Sequence, residues 1–333
     1  MARRIYAQAA HGRNVASVTR RLDSSSALAN AVARGDAAAA RAALLPLMKN
    51  QVRQIVISRG GRTLVRIGTT PSLAPVTRTI RSASGASVGT YRLSVASDVS
   101  IAGTMAAVTG DGVSVQQSGR AVVADAASGR PTASVDFAAT AFSGAPLTFR
   151  LAMPAAPPSQ CGASDAQTRA LTIGAIGRRL FAAEQSGGAT ARVLRHVTSD
   201  PRVVQAVAHD DPGALRAEIV HLFGDRTLHV VRIRATTASG ALVNDVGGPY
   251  VLAPASAPVK LGARVIGRVT LSIQDDTGYI KLMHRFTGAV VQLSTPAGPV
   301  PGSNVPVPGV TYRRVTFTVQ AFPSGPLQVS LLS

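Results

Sequence analysis

Tryptophan is absent from this chain, and Phe and Tyr bring the aromatic share to only 4%. The cores must therefore rest on Val, Leu, Ile and Ala. Cysteine occurs once, at Cys161, which excludes an internal disulfide and a cysteine-based metal cluster. Lysine occurs only at Lys49, Lys260 and Lys281, so nearly all of the 35 basic residues are arginine. No window reaches the roughly 18 apolar residues that a spanning helix needs, and the sequence predicts no transmembrane segment. The start, MARRIYAQAAHGRN, has no continuous apolar stretch of signal-peptide length.

Catalytic signatures are missing as well. There is no Gly-x-Ser-x-Gly elbow, no phosphate loop and no dinucleotide fingerprint. Five of the six histidines fall in the second half (His196, His209, His221, His229 and His284), and none of their spacings makes a zinc motif. The sequence predicts a protein that is not an enzyme and needs no metal or cofactor. The 16 acidic residues leave a formal charge of +19. Such a balance fits a binder of nucleic acid or of an anionic polymer. Yet no arginine block exceeds two residues, and no aromatic residues are interleaved with the basic ones as single-strand binders require. Dispersed surface arginine in an Ala- and Val-rich chain accounts for the charge, and nucleic acid is not an expected partner.

What the chain does have is a second copy of itself. RGDAAAARAALLPLM (34–48) recurs as HDDPGALRAEIVHLF (209–223). Leu73-Ala74-Pro75 matches Leu252-Ala253-Pro254, GTYRLSV (89–95) matches GRVTLSI (267–273), and Thr109-Gly110 matches Thr287-Gly288. VDFAATAFSGAPL (135–147) matches VTFTVQAFPSGPL (315–327). The offset drifts only from 175 to 180, too long a period and too few copies for a solenoid. The expected organisation is a divergent repeat 1 over 1–153, a Pro-rich linker over 154–163 and a repeat 2 over 164–333. Repeat 1 has no counterpart to DAQTRALTIGA (165–175), so the chain is expected to be short at its N-terminus, with a leader upstream of Met1. An in-frame stop codon immediately ahead of Met1 would sink that expectation.

Repeat 2 is the more legible copy. An apolar stripe of Leu171, Ile173, Ile176, Leu180 and Phe181 predicts a helix over 164–188. Asp200 or Ser199 before Pro201, and Asp211 before Pro212, mark further helix starts. The period then changes from 3.6 to 2: 228–237 and 241–245 read as a hairpin turning at Ser239-Gly240, and 263–276 as a long strand. A short helix over 277–288 leads to strands at 289–294, 312–322 and 327–333, the last two joined by Pro323-Ser324-Gly325-Pro326. Helices followed by an antiparallel sheet with an inserted short helix make each repeat an α+β domain.

The segment GRVTLSIQDDTGYIKLMHRFTGAVVQL (267–293), with VVRIRATTASGALVNDVGGPYVLAP (230–254), resembles the Cache domain, the PAS-like sensor module of bacterial receptors, and in particular Cache-like domains of secreted actinobacterial proteins. The resemblance implies an extracytoplasmic small-molecule sensor, in tandem copy. Its ligand would be an unidentified acid or amine, and signalling would need a membrane or envelope partner. The alternative is a structural or adhesion module that holds anionic envelope polymers on its arginine surface.

In a PAS-like fold the pocket lies between the sheet face and the segments covering it. Arg232 and Arg234 are two apart on one strand and so share a face, where a guanidinium could clamp a carboxylate. Tyr250, Asp275, Asp276 and Tyr279 border the same region. Plainer roles are open to each: Asp276 is placed to cap the helix near Thr277, and Tyr279, Leu282, Met283 and Phe286 fall at core spacing. In the preceding loop, Arg66-Ile67-Gly68-Thr69-Thr70-Pro71-Ser72 is set against Asn244-Asp245-Val246-Gly247-Gly248-Pro249-Tyr250. The richer polar decoration of repeat 2 makes it the expected binding copy.

Overall fold

Short polar residues cap several of the helix starts, and Gly12 and Gly187 mark two others. In a computed structural model, described over residues 1–48, 52–68, 71–125, 131–155, 161–225, 227–323 and 325–333, the chain divides into two compact units, Met1–Pro157 and Pro158–Ser333. The linker expected at 154–163 and the turn around Ser324 fall partly outside the described residues, as do Thr69 and Thr70.

In unit 1, helices α1 (Ala2–His11), α2 (Arg13–Asp23), α3 (Ser26–Arg34) and α4 (Ala37–Met48) come first. Ser25 accepts the Leu28 N–H and Asp36 the Ala39 N–H, satisfying donors that the first turns of α3 and α4 leave over. Strands β1 (Gln54–Arg59), β2 (Arg62–Ile67), β4 (Val76–Arg81) and β5 (Ser87–Ser94) form an antiparallel sheet in the order β2-β1-β5-β4. Two short strands, β3 (Ser72–Leu73) and β6 (Ala96–Ser97), pair with each other. Helix α5 (Asp98–Thr109) then leads to β7 (Gly112–Gln117), β8 (Arg120–Asp125), β9 (Pro131–Thr140) and β10 (Pro146–Pro154), a second sheet ordered β8-β7-β10-β9.

Unit 2 has the same order of elements. Helices α6 (Asp165–Ser186), α7 (Gly188–Ser199), α8 (Pro201–Ala208) and α9 (Pro212–Gly224) come first. Asp200 accepts the Arg202 and Val203 N–H groups, and Asp211 accepts that of Ala214. Strands β11 (Arg232–Thr237), β12 (Leu242–Gly247), β14 (Ala255–Leu261) and β15 (Arg264–Ser272) make a sheet ordered β12-β11-β15-β14. Strands β13 (Tyr250–Leu252) and β16 (Gln274–Asp275) join β17 (Val290–Thr295), β18 (Gly298–Pro299), β19 (Arg314–Pro323) and β20 (Gly325–Leu332) in a six-stranded sheet. Helix α10 (Asp276–Thr287) is inserted between the two sheets in sequence. Each unit is thus α+β: helices, antiparallel strands, one inserted helix, more antiparallel strands.

The correspondence reaches single hydrogen bonds. The Ser94 hydroxyl lies against the carbonyls of Leu73 and Ala96, and the Ser272 hydroxyl against those of Leu252 and Gln274. Thr109 donates to Met105 O (2.8 Å) and Thr287 to Met283 O (2.7 Å). Ala74 and Ala253, both in Leu-Ala-Pro, have φ of +52° and +53°.

In both units the N-terminal helices cover one face of the first sheet. Leu22, Leu28, Val32 and Leu44 pack on Ile55, Ile57, Tyr91 and Leu93 in unit 1. Val197, Val207, Leu215 and Ile219 pack on Ile233, Ala235, Val269 and Leu271 in unit 2. Because side chains alternate along a strand, the residues between these must point to the other face. That opposite face is polar, and it is where the candidate site lies.

Candidate functional site

Strand pairing aligns a row of four side chains on the polar face of the first sheet of unit 1. Arg66 (β2) and Arg92 (β5) both stand opposite Val56 (β1), and Arg92 stands opposite Thr77 (β4). With strands spaced about 4.8 Å apart, the two arginine Cα atoms are separated by roughly 10 Å, with Val56 between them. Arg92 is positioned by its neighbours: Nε donates to Thr77 Oγ1 (3.3 Å), and Nη1 faces the carbonyls of Phe142 (3.3 Å) and Ser143 (3.2 Å). The Arg66 guanidinium is exposed and makes no ion pair among the described residues.

This row forms one wall of a cleft of about 780 Å³ in unit 1. Val115 and Leu147 from the second sheet, with Phe142 beside it, supply apolar surface opposite. The floor is polar and buried: the Ser72 hydroxyl donates to Gln54 Oε1 (2.8 Å), and Asp98 Oδ1 accepts the Val99 N–H (2.8 Å) at the start of α5. Buried polar groups on a cleft floor carry a desolvation cost, which a well-matched polar ligand offsets. No histidine, cysteine or lysine is among the described residues that line the cleft.

The same row in unit 2 is Asp245 (β12), Arg234 (β11), Thr270 (β15) and Ser256 (β14). Register therefore pairs Arg66 with Asp245. This corrects the sequence matching of Arg66 with Asn244 by one residue. Both strands reach a glycine of positive φ two residues on, Gly68 (+85°) and Gly247 (+143°). The β11–β12 hairpin is one residue longer than the β1–β2 hairpin, so the match takes the offset of Leu73 and Leu252 that follows it.

The unit 2 row is internally satisfied. Arg232 grips Asp245 with two bonds, Nε to Oδ1 and Nη2 to Oδ2, each 2.8 Å. Arg234 adds Nε (2.8 Å) and Nη2 (2.6 Å) to Oδ2. Arg232 Nη1 also donates to the Gly247 and Gly248 carbonyls. Both guanidinium groups sit over the Phe322 ring, at 5.2 and 4.5 Å from its centroid. Burial works to raise the Asp245 pKa, but the hydrogen bonds and charges of Arg232 and Arg234 overturn it and hold the carboxyl below its ordinary value.

The remaining candidates separate. Tyr250 is half-buried on β13, opposite Pro323. Asp275, not Asp276, is the N-cap of α10: its Oδ1 accepts the Gly278 N–H (2.6 Å), while Asp276 Oδ1 accepts that of Thr277 (2.7 Å). The helix starts one residue earlier than its sequence pattern implies, which transfers the capping role. Tyr279 is fully buried, with its ring edge-on to Phe181 of α6 at 6.0 Å. With the Gln274 amide oriented to accept the Tyr279 N–H (2.7 Å), its nitrogen donates to Glu184 Oε2 (3.2 Å). Burial first, and the Glu184 charge second, push the Tyr279 phenol well above its ordinary pKa. The structure thus unites Arg232 and Arg234 on Asp245, sets the aspartates at a helix start and turns Tyr279 toward α6.

The Tyr279 hydroxyl has no hydrogen-bond partner among the described residues. Removing an unsatisfied buried hydroxyl relieves its desolvation penalty, so Tyr279→Phe is expected to leave stability unchanged or raise it by up to about 1 kcal/mol. Thermal unfolding checks this; a drop of several degrees would show that the hydroxyl is bonded.

Sequence reasoning passed over Asp245 as a partner of the two arginines, named Arg66 only in the loop comparison, and did not single out Gln54, Val56 or Arg92. The available signal was strand alternation in GTYRLSV: Tyr91 and Leu93 face the core, so Arg92 faces away. Among the described residues no cluster of His, Cys, Asp and Glu could hold a metal, and no helix is long and apolar enough to cross a membrane.

No family model matches this chain, and no curated protein matches it. Two solved structures match part of it. The LuxQ periplasmic domain of Vibrio cholerae, as a selenomethionine protein, shares 9% identity at a TM-score of 0.35, over 49% of this chain and 97% of that one. A second structure of the same periplasmic domain gives 10% and 0.34, over 49% and 99%. The functional reading rests on the cleft and the chain's own residues.

Proposed function

We propose that this chain is a small-molecule-binding module that acts by binding rather than by catalysis, built by tandem duplication of one α+β domain. Unit 1 carries the ligand site, and unit 2 is a structural copy whose equivalent positions are engaged with one another. The repeated sequence segments support the duplication, together with the shared element order and the paired hydrogen bonds of Ser94 and Ser272. An extracytoplasmic sensor role follows from the Cache-like sequence pattern around 230–293.

The observation that carries the binding reading is the cleft of unit 1. Its volume of about 780 Å³ lies in the range of small-molecule sites, and three buried polar side chains face it beside apolar walls.

Thermal unfolding of the full chain against a library of small acids, amines and neutral compounds tests the proposal. A ligand at about 100 times its Kd stabilises the native state by about 2.7 kcal/mol through mass action. Unit 1 should then melt roughly 5–10 °C higher. Val56→Phe, which fills the cleft from its sheet wall, is expected to abolish the shift while keeping the unliganded melting temperature within a few degrees. A shift that survives Val56→Phe places the site elsewhere. No shift from any compound, with salt-sensitive binding to polyanions, would favour the envelope-polymer reading.

A further inference from the structure

The two units solve one electrostatic problem in different ways. In unit 2 a carboxylate of the chain itself, Asp245, sits between two guanidinium groups and is covered by an aromatic ring, Phe322. In unit 1 the pairing register replaces Asp245 with Arg66 and Arg234 with Val56, and puts Arg92 where unit 2 has Thr270. Two arginines stand on the strands either side of Val56, both lining the cleft with Phe142, and neither forms an ion pair with a carboxylate among the described residues. Val56, the residue they straddle, leaves room where unit 2 has the Arg234 side chain.

We propose that the unit 1 cleft binds a small monocarboxylate, with its carboxylate held between Arg66 and Arg92 above Val56 and its apolar body against Phe142, Val115 and Leu147. The ligand carboxylate thereby takes the part that Asp245 plays in unit 2. This deepens the binding reading above and rests on it. The exposed Arg66 guanidinium presents paired donors that match a carboxylate edge, while Arg92, whose Nε and Nη1 are engaged by Thr77 and two carbonyls, offers Nη2 and its charge with little further ordering. A monoanion is preferred to a phosphate dianion because the Asp98 carboxylate lies on the floor of the same cleft, where a second negative charge on the ligand adds repulsion. Phe142 and the two aliphatic side chains call for a ligand with an apolar body rather than formate or acetate.

The test titrates the full chain with benzoate, 3-phenylpropionate and hexanoate, with benzamide and benzyl alcohol as uncharged counterparts, and with inorganic phosphate and sulfate. At least one carboxylate should bind saturably, and its amide at least tenfold more weakly. Arg66→Gln should weaken the carboxylate at least tenfold. Arg66 makes no side-chain hydrogen bond among the described residues, so this change leaves the fold intact. The double change Val56→Arg/Arg66→Asp writes the Arg234–Asp245 pair of unit 2 into unit 1 and should abolish carboxylate binding while retaining cooperative unfolding. Carboxylate binding that survives the double change overturns the proposed position. Equal affinity for benzamide and benzoate overturns the anion assignment while leaving the binding reading intact, and tighter phosphate than carboxylate overturns the carboxylate class. Failure of every compound here and in the wider library removes both readings.

Discussion

Asp245→Asn is expected to destabilise unit 2 by about 3 kcal/mol, because it leaves two guanidinium groups packed over Phe322 without their shared counter-charge. The side chains of Asp245 and Arg232 are 10% and 11% exposed, so water cannot readily replace the lost carboxylate. Arg234, at 34%, recovers part of its hydration, which places the cost at the low end for a broken buried pair. For a unit of this size the melting temperature should fall by roughly 6–12 °C. Hydrogen exchange locates the effect: amides of Ile233 and Leu271 should lose protection, and those of Ile55 and Leu93 should keep it. Equal loss in both units would show that the cluster is not what holds unit 2. The same cluster sets a pH dependence. Folding depresses the Asp245 pKa, so its stabilisation is fully present above the unfolded value of about 3.9 and is lost as pH falls through the lower folded value. Wild-type unit 2 should therefore lose stability below about pH 4, and Asp245→Asn should flatten that part of the profile.

Gly267→Ala should cost about 2–3 kcal/mol, through overpacking rather than loss of contact. A Cβ at this position would lie 2.3 Å from the Thr236 carbonyl oxygen and 2.6 Å from Val207 Cγ1 of α8. The valine can rotate, but the carbonyl belongs to the neighbouring strand and can move only with the sheet. Gly89 is in the same situation, with Ser58 O at 2.6 Å and Val32 Cγ1 of α3 at 2.7 Å. Helices α3 and α8 thus approach their sheets where a side chain is absent. The recurrence of glycine at the head of GTYRLSV and GRVTLSI has this physical cause. Chemical denaturation of Gly89→Ala and Gly267→Ala should show similar losses, each in its own unit. A loss below about 0.5 kcal/mol would mean that the helices shift outward at little cost.

Much of the secondary structure is legible in the sequence because its determinants are local. Asp200 and Asp211 ahead of prolines start α8 and α9 with their own carboxylates. The stripe of Ile173, Ile176, Leu180 and Phe181 fixes the buried face of α6. The turn at Ser239-Gly240 joins β11 and β12. Where the cap lay between two adjacent aspartates, local pattern was one residue out, since both can reach a free N–H and only the backbone path decides.

The site was far less legible. From the spacing of Arg232 and Arg234 the sequence showed that two guanidinium groups share a face, and they do. It could not show that Asp245, on the neighbouring strand, would stand directly opposite Arg234 and occupy both of them. Nor could it show that Arg66 and Arg92, 26 positions apart in a copy with little polar decoration, would be brought to either side of Val56.

Sequence by itself determined the helix starts and the strand periods, because each depends on residues within a few positions of one another, and the α+β order follows from them. Only the tertiary structure decided which charges meet, because cross-strand register is set by pairing over the whole ladder, and a slip of one residue on β12 would set Asn244 in place of Asp245 opposite Arg234.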